Sequence, residues 1–319
     1  MSTEHPKIVT VPPHFDETRL DKAVKELFQV PWSTARTWIE RGKISVDNTR
    51  STDLAFVVQQ GAQLCLTPDA RRPSRTGDFS KERIVHIDPH LVVADKPAGI
   101  LTVPLLERDP HSFDAQIRTY LTKHRSKTAR KKGALASLLV VHRLDKLTSG
   151  LLVFPRTVEA MDGLKSQFRE HTVKRHYLAL VHGVIKPQTF KTHIMEDRGD
   201  GIRGSCETSP HPKVRKSQKG QLAITHVEVV EQLKSATLIK CTLDTGRTNQ
   251  IRIHLAEHGH PLIGERTYMR GFKGKKINSL QLMLHAAELG FTHPISQEPM
   301  HFTAEPPDYF LQMHRQLKK

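Results

Sequence analysis

At residues 138–154 the chain reads LLVVHRLDKLTSGLLVF, a polar segment between two apolar runs. The runs 138–141 and 151–154 are short and rich in branched residues, the pattern of buried strands. The nine residues 142–150 are therefore predicted to form a loop presented by a rigid scaffold, where chemistry is commonly carried. Inside it stands one carboxylate, Asp145, beside Arg143 and Lys146, with Thr148, Ser149 and Gly150 closing the turn. An acid among cations is expected to stay ionised at neutral pH. Taken alone, such an Asp reads as a turn cap or a surface ion pair.

Charge narrows the partner. In 319 residues, 49 Lys and Arg face 33 Asp and Glu, a net charge of +16. An excess of this size gathers polyanions and makes their binding salt-sensitive, which points to nucleic acid. No apolar run approaches the length that spans a bilayer, and MSTEHPKIVTVPP lacks the pattern of a secretory leader. Cys65, Cys206 and Cys241 are odd in number and widely spaced, so reduced thiols in a cytoplasmic protein are expected, with no disulfide framework and no Cys-type zinc site.

In chain order, a flexible start is expected over 1–13. A helix follows from Thr18, with Leu20, Ala23, Val24, Leu27 and Phe28 on one face. A second helix is capped by Ser33, carries Ala35, Trp38 and Ile39 on its apolar side, and stops at Gly42. Short strands then run to about Leu66. Residues 69–83 lack apolar periodicity and read as a linker. The stretch 121–137 is strongly basic and is expected to be a solvated loop able to close over a polyanion. Thr157 caps a further helix. KRHYLALVHG, AITHVEVVE and ATLIKCTL read as strands, and Gly259 stops a helix that contains His254 and His258.

The wording HRLDKLTSG resembles the catalytic motif of the RluA-type pseudouridine synthases, in which the Asp acts on a flipped uridine. Lys96, Pro97 and Gly99 resemble an early motif of that family, and Tyr177 stands in a K-x-x-Y strand as in its members. TGRTNQIRIH resembles TGR-x-HQ-[IL]-R-x-H, placing Arg252 where the family's Arg pairs with the catalytic Asp. LHAAELGFTHP and FTAEPPDYF resemble its C-terminal signature. Two positions depart: Asn249 where His is usual and Glu265 where Asp is usual, and neither is expected to touch Asp145, Tyr177 or Arg252. The segment TRLDKAVKELFQVPWSTARTWIERGKISVDN resembles the αL-type RNA-binding module of a ribosomal small-subunit protein.

The resemblance implies an α+β protein: an RNA-binding module over 14–68 and a catalytic domain over 84–319 with a mixed, mostly antiparallel sheet flanked by helices. It implies uridine-to-pseudouridine isomerisation in structured RNA, with large-subunit ribosomal RNA ahead of transfer RNA. A non-catalytic RNA-binding or ribosome-assembly protein is the rival reading. Isomerisation gains no group and no electrons, so no cofactor or metal is expected; a monomer without membrane attachment is expected too. Asp145 would attack the sugar or the base, or remove a ribose proton. Arg252 would hold it ionised and oriented, and Tyr177 would face the base and help remove its C5 proton. Arg143, His142, Lys96 and Arg247 are candidate RNA contacts in the catalytic domain. Arg19, Lys22, Arg36, Arg41 and Lys43 are candidate phosphate contacts in the module. The string His254-Leu255-Ala256-Glu257-His258 also matches an inverted zinc-protease pattern, but no third ligand is identifiable.

Overall fold

The structure, a computed structural model, describes residues 6–16, 18–47, 49–52, 54, 56–70, 79–104, 111–124, 137–198, 201–217 and 219–318. The chain divides into two units, Met1–Asp78 and Phe79–Lys319.

In the first unit the helices α1 (Leu20–Leu27) and α2 (Trp32–Glu40) accompany β1 (Lys7–Thr10), β2 (Thr18–Arg19), β3 (Ile44–Val46), β4 (Thr49–Arg50), β5 (Val57–Val58) and β6 (Gln63–Leu66). Leu20, Ala23 and Val24 of α1 are fully buried, as their helical spacing requires. The helix α2 begins at Trp32 behind Pro31 rather than behind Ser33, and Gly42, at φ +65°, ends it. An antiparallel sheet runs β1-β6-β3-β4, with β2 and β5 paired apart from it. Within the start expected to be flexible, residues 1–13, Lys7–Thr10 pair with β6 from Leu66 to Gln63. KIVT is too short to announce a strand by periodicity, and its partner lies far along the chain.

The second unit is built on a ten-stranded sheet of β7 (Ile84–Ile87), β8 (Leu91–Lys96), β9 (Ser149–Pro155), β10 (Lys174–His182), β11 (Gln188–Met195), β12 (Gly204–Ser205), β13 (Gln221–Gln232), β14 (Ala236–Leu243), β15 (Leu284–Thr292) and β16 (Pro299–Thr303). The order is β12-β11-β13-β14-β10-β15-β9-β8-β7, with β16 on β15. All pairings are antiparallel except β15 with β9. Among the described residues its α-helices are α3 (Phe113–Lys123), α4 (Val158–Arg169), α5 (Pro212–Ser217), α6 (Gln250–Glu257) and α7 (Asp308–Lys318).

Strand alternation explains the layers. Val92, Ala94, Leu152 and Phe154 join one core with Phe113 and Ile117 of α3 and Ile251 and Leu255 of α6. Leu91, Val93, Leu151 and Val153 face the other way, onto Leu164 of α4. Strands covered on both faces become continuous apolar runs, which is why 151–154 is legible as a strand. Thr157 caps α4, its Oγ1 accepting from Ala160 N at 3.2 Å.

Part of the expected linker belongs to this unit: the Phe79 ring lies 6.1 Å from Phe113 and 5.3 Å from Tyr120. Residues 71–78 lie outside the described residues, as do 125–136 of the basic stretch. Residues 121–123 of that stretch form the last turn of α3.

Candidate active site

The loop bearing Asp145 is delivered from one side only. Leu138 is buried, and Leu139 N donates to Pro155 O at 2.7 Å, but residues 138–141 form no strand. The strand that follows the loop, β9, already has both edges paired, with β8 and with β15. Gly150 makes the second pairing possible. At φ +113° it lies against Ala286, whose carbonyl oxygen would sit 2.3 Å from an added β-carbon. The loop is then braced from the segment after β8: Thr102 Oγ1 donates to Leu144 O (2.7 Å), and Gly99 N donates to Lys146 O (2.7 Å).

Lys96 belongs to the same brace. Its fully buried Nζ donates to the carbonyls of Pro97 (2.9 Å), Ile100 (2.9 Å) and Lys146 (3.3 Å). Burial pulls this ammonium down to about 7, against the pull of Asp145 and Asp95. The expectation that Lys96 contacts RNA is corrected: its donors are spent inside the protein.

Asp145 opens onto a cavity of about 470 Å³ whose walls include Arg143, Thr148, Phe168, Arg175, Tyr177, Arg247, Asn249 and Arg252. Its side chain keeps a quarter of its surface exposed, and Oδ2 lies 3.8 Å from Arg252 Nη1. That is an ion-pair separation, too long for a hydrogen bond. Burial raises the Asp145 carboxyl above its usual range, outweighing Arg252, Arg143 and Lys96. The cations beside it in sequence therefore do not set its charge by themselves.

Arg252, on α6, is anchored elsewhere. Its Nε and Nη2 donate to the two oxygens of Glu265 at 2.7 and 2.8 Å, and Nη1 donates to Asn249 Oδ1 at 2.9 Å. The Tyr268 ring lies beneath the guanidinium at 5.2 Å, and the Tyr268 hydroxyl accepts from Asn249 Nδ2 at 2.9 Å. Both departures from the family motif thus touch Arg252 directly, contrary to expectation. Asn249 sits at φ +59°, a left-handed conformation that Asn tolerates better than most residues.

Tyr177 lies in β10 between β14 and β15 and is 8% exposed. Burial pushes its phenol up to about 12, so it stays protonated at neutral pH and is a poor base there. Two residues earlier, on the same face of the strand, stands Arg175, which the sequence motifs do not single out. Its Nη2 donates to the carbonyls of Leu243 and Asp244, both at 3.3 Å, while its buried Nε has no hydrogen-bond partner. The period-two placement beside Tyr177 was the available signal.

His142 packs against Phe168 with ring centres 4.7 Å apart and the planes tilted by 32°, and its Nε2 accepts from Val153 N at 3.0 Å. Burial, with Arg175 nearby, holds it down to about 3. It is half-buried on the cavity lining, a neutral acceptor that holds the loop to β9. Arg143 is exposed, donating to Thr248 Oγ1 at 3.3 Å, and Arg247 Nε donates to Leu222 O at 3.0 Å. Both stand at the cavity.

The zinc-protease pattern dissolves. His254 Nε2 bonds Thr192 Oγ1 and its Nδ1 bonds Thr225 Oγ1, each at 2.9 Å, while Glu257 Oε1 accepts from Arg198 and from Ser205 N. Among the described residues no group of three or more His, Cys, Asp or Glu could hold a metal ion.

In the first unit, Arg19 Nη2 and Arg36 Nη2 lie 2.9 and 3.6 Å from the buried Asp21 carboxylate, yet both keep about half their side-chain surface exposed. Lys22 and Arg41 are exposed and Lys43 is half-buried. No described helix is long and apolar enough to cross a membrane.

Comparison with known proteins identifies the family. Residues 90–257 match the RNA pseudouridylate synthase family and 18–64 match the S4 domain. The ribosomal large subunit pseudouridine synthase D of Nitrosomonas europaea is 32% identical over 312 residues, 94% of this chain and 84% of that protein. The protein of the same description from Zymomonas mobilis is 33% identical over 91% of this chain and 90% of its own length. The dual-specificity RNA pseudouridine synthase RluA of Pasteurella multocida is 36% identical over 70% of this chain and 92% of its own. The structure of human RNA Pseudouridylate Synthase Domain Containing 4 shares the fold, with a TM-score of 0.58 at 22% identity over 74% of this chain and 93% of that one. With a matched family region spanning more than half its length, this chain belongs to the RNA pseudouridylate synthase family and is an isomerase that acts on uridine in RNA.

Proposed function

We propose that this enzyme isomerises uridine in large-subunit ribosomal RNA, with Asp145 acting on a uridine flipped into the 470 Å³ cavity. The observation that carries the reading is the partly exposed Asp145 carboxylate, set on the wall of one cavity with Arg252 and Tyr177. A pocket of this size suits a small-molecule-sized group such as one nucleoside. Relatives described as large-subunit enzymes align over more than nine-tenths of this chain, which favours ribosomal over transfer RNA.

In this reading the base leaves its stack at a cost of a few kcal/mol, and Arg143 at the mouth fills the gap or holds a phosphate. Asp145 acts on the sugar or the base. Arg252 orients it through one N–H. Tyr177, protonated, supplies an aromatic wall and a hydrogen-bond donor, which leaves the C5 proton to another acceptor. Arg247 lies where a flanking phosphate would pass, and Arg19, Lys22, Arg36, Arg41 and Lys43 hold RNA on the first unit. In this reading the enzyme works as a cytoplasmic monomer.

The test is tritium release from RNA labelled at uridine C5, with ribosomal and transfer RNA supplied separately, for the wild type and Asp145→Ala. Release from ribosomal RNA by the wild type, and none by a folded variant that still binds RNA, is expected. Release confined to transfer RNA would overturn the substrate assignment. Equal release by the variant would remove Asp145 from the chemistry.

A further inference from the structure

Arg252 stands between two carboxylates and gives most of itself to the one away from the cavity. Glu265 takes Nε and Nη2 at 2.7 and 2.8 Å with its side chain wholly buried, whereas Asp145 lies 3.8 Å from Nη1. The fork has five N–H groups. Two go to Glu265, one goes to Asn249 at 2.9 Å, and a second Nη2 hydrogen reaches towards Thr267 Oγ1 at 3.5 Å. One Nη1 hydrogen is left for Asp145.

Glu265 is itself fixed. Its Oε1 also accepts from the backbone N–H groups of Arg266 (2.9 Å), Thr267 (2.8 Å) and Tyr268 (3.3 Å). The bidentate contact sets the guanidinium plane, and the Tyr268 ring and Asn249 close two further sides.

We propose that Glu265 is a positioning residue: it holds Arg252 so that one N–H faces Asp145, and it shares the guanidinium charge so that Asp145 remains a free, reactive carboxylate instead of a locked ion pair. The inference rests on the reading of Asp145 as the reacting group. Two like carboxylates compete here for one cation, and the closer and more deeply buried one wins. Burial alone would raise Glu265, but its bonds to Arg252 and the backbone hold it below its usual range. Asp145 moves the opposite way. The charged and titratable groups around Asp145 are Arg143 from its own loop, Lys96 from β8, Tyr177 with Arg175 beside it from β10, Arg252 from α6, and Glu265 and Tyr268 from the segment after α6. Among them Glu265 is the anion. The two positions that depart from the family pattern, 249 and 265, therefore act on one guanidinium.

The test is a carbon-13 NMR titration of the side-chain carboxyls in the full-length, RNA-free protein, with Asp145→Asn assigning the Asp145 signal. It runs beside the pH profile of single-turnover pseudouridine formation. In Glu265→Gln, a negative charge is removed and Arg252 turns to Asp145. The Asp145 midpoint then falls by about one unit, and the acid limb of the rate profile falls with it. Glu265→Asp keeps the charge and keeps the wild-type midpoint.

A Glu265 that only props up the fold would let Arg252 drift away, leaving the midpoint unmoved or raised; either result overturns the proposal. Should Glu265→Gln fail to fold, Asn249→Asp decides. A second carboxylate on the same fork raises the Asp145 midpoint, and an unmoved midpoint overturns charge sharing. The titration needs no turnover, so a failure here is distinct from a failure to form pseudouridine.

Discussion

His142 makes acid sensitivity a countable quantity. Half-buried against Phe168, it accepts the Val153 N–H and is held down to about 3 in the folded protein, whereas an unfolded chain would titrate it near 6.5. A base whose folded pKa is depressed binds its proton only in the unfolded state between those two values. Stability is therefore complete above about pH 6.5 and falls as the pH drops, by about 1.4 kcal/mol per unit for this one group. Urea unfolding between about pH 4 and 5.5 should show a pH slope in the wild type that exceeds the slope in His142→Phe by about one proton; equal slopes would place His142 in water. Gly150 sets a second limit at this scale. A β-carbon there meets the Ala286 backbone at 2.3 Å, at a φ that L-residues rarely adopt. Gly150→Ala is expected to cost about 3 kcal/mol or more, read as a lowered urea midpoint. Asp145, Tyr177 and Arg252 were legible because motif wording fixes residue types at their spacings. That Arg252 pairs first with Glu265 was not legible, since position 265 comes onto α6 only through the fold.

Among the elements, β8 and the loop after it do most to hold the Asp145 loop. Lys96 ends β8 with its ammonium facing three carbonyls, one of which belongs to Lys146 next to Asp145. Lys96→Met keeps the volume and strands those carbonyls. At about 1 kcal/mol each, the loss is roughly 3 kcal/mol, and the loosened loop lowers single-turnover pseudouridine formation in protein that remains folded. Differential scanning together with the rate checks this; a lower melting temperature with an unchanged rate would mean that Lys96 holds the fold but not the loop. The strands at KRHYLALVH, AITHVEVVE and ATLIKCTL and the helix capped by Thr157 are readable from local pattern alone. The failures share one cause: 138–141 has strand composition but finds no free edge, because β15 has taken the second edge of β9. Conversely, residues 7–10 have little pattern and become a strand because β6 offers an edge. Edge availability is a property of the sheet, and no window of sequence contains it.

For the whole molecule the governing quantity is charge. At +16, the protein binds RNA with an affinity that falls linearly with salt on logarithmic axes, each neutralised phosphate contributing about 0.7 to the slope for a single strand. Composition alone supported that much, but it could not say which cations are available. The structure separates them: Lys96 is enclosed, Arg175 faces the cavity wall, and Lys22 and Arg41 stand exposed on the first unit, which matches the S4 domain. If Lys22 and Arg41 hold phosphates, the double substitution Lys22→Glu and Arg41→Glu removes about two contacts and flattens the slope by roughly 1.4. Such contacts fix the register of the RNA without entering the chemistry. The rate of pseudouridine formation at saturating RNA should therefore stay at the wild-type value. Asp145→Asn should do the reverse, keeping the slope and losing the turnover. Filter binding from about 50 to 200 mM salt, with single-turnover rates beside it, separates the two effects. A slope that the double substitution leaves untouched would make Lys22 and Arg41 a solvated face, and the phosphate contacts would then fall to Arg19, Arg36 and the cations around the cavity.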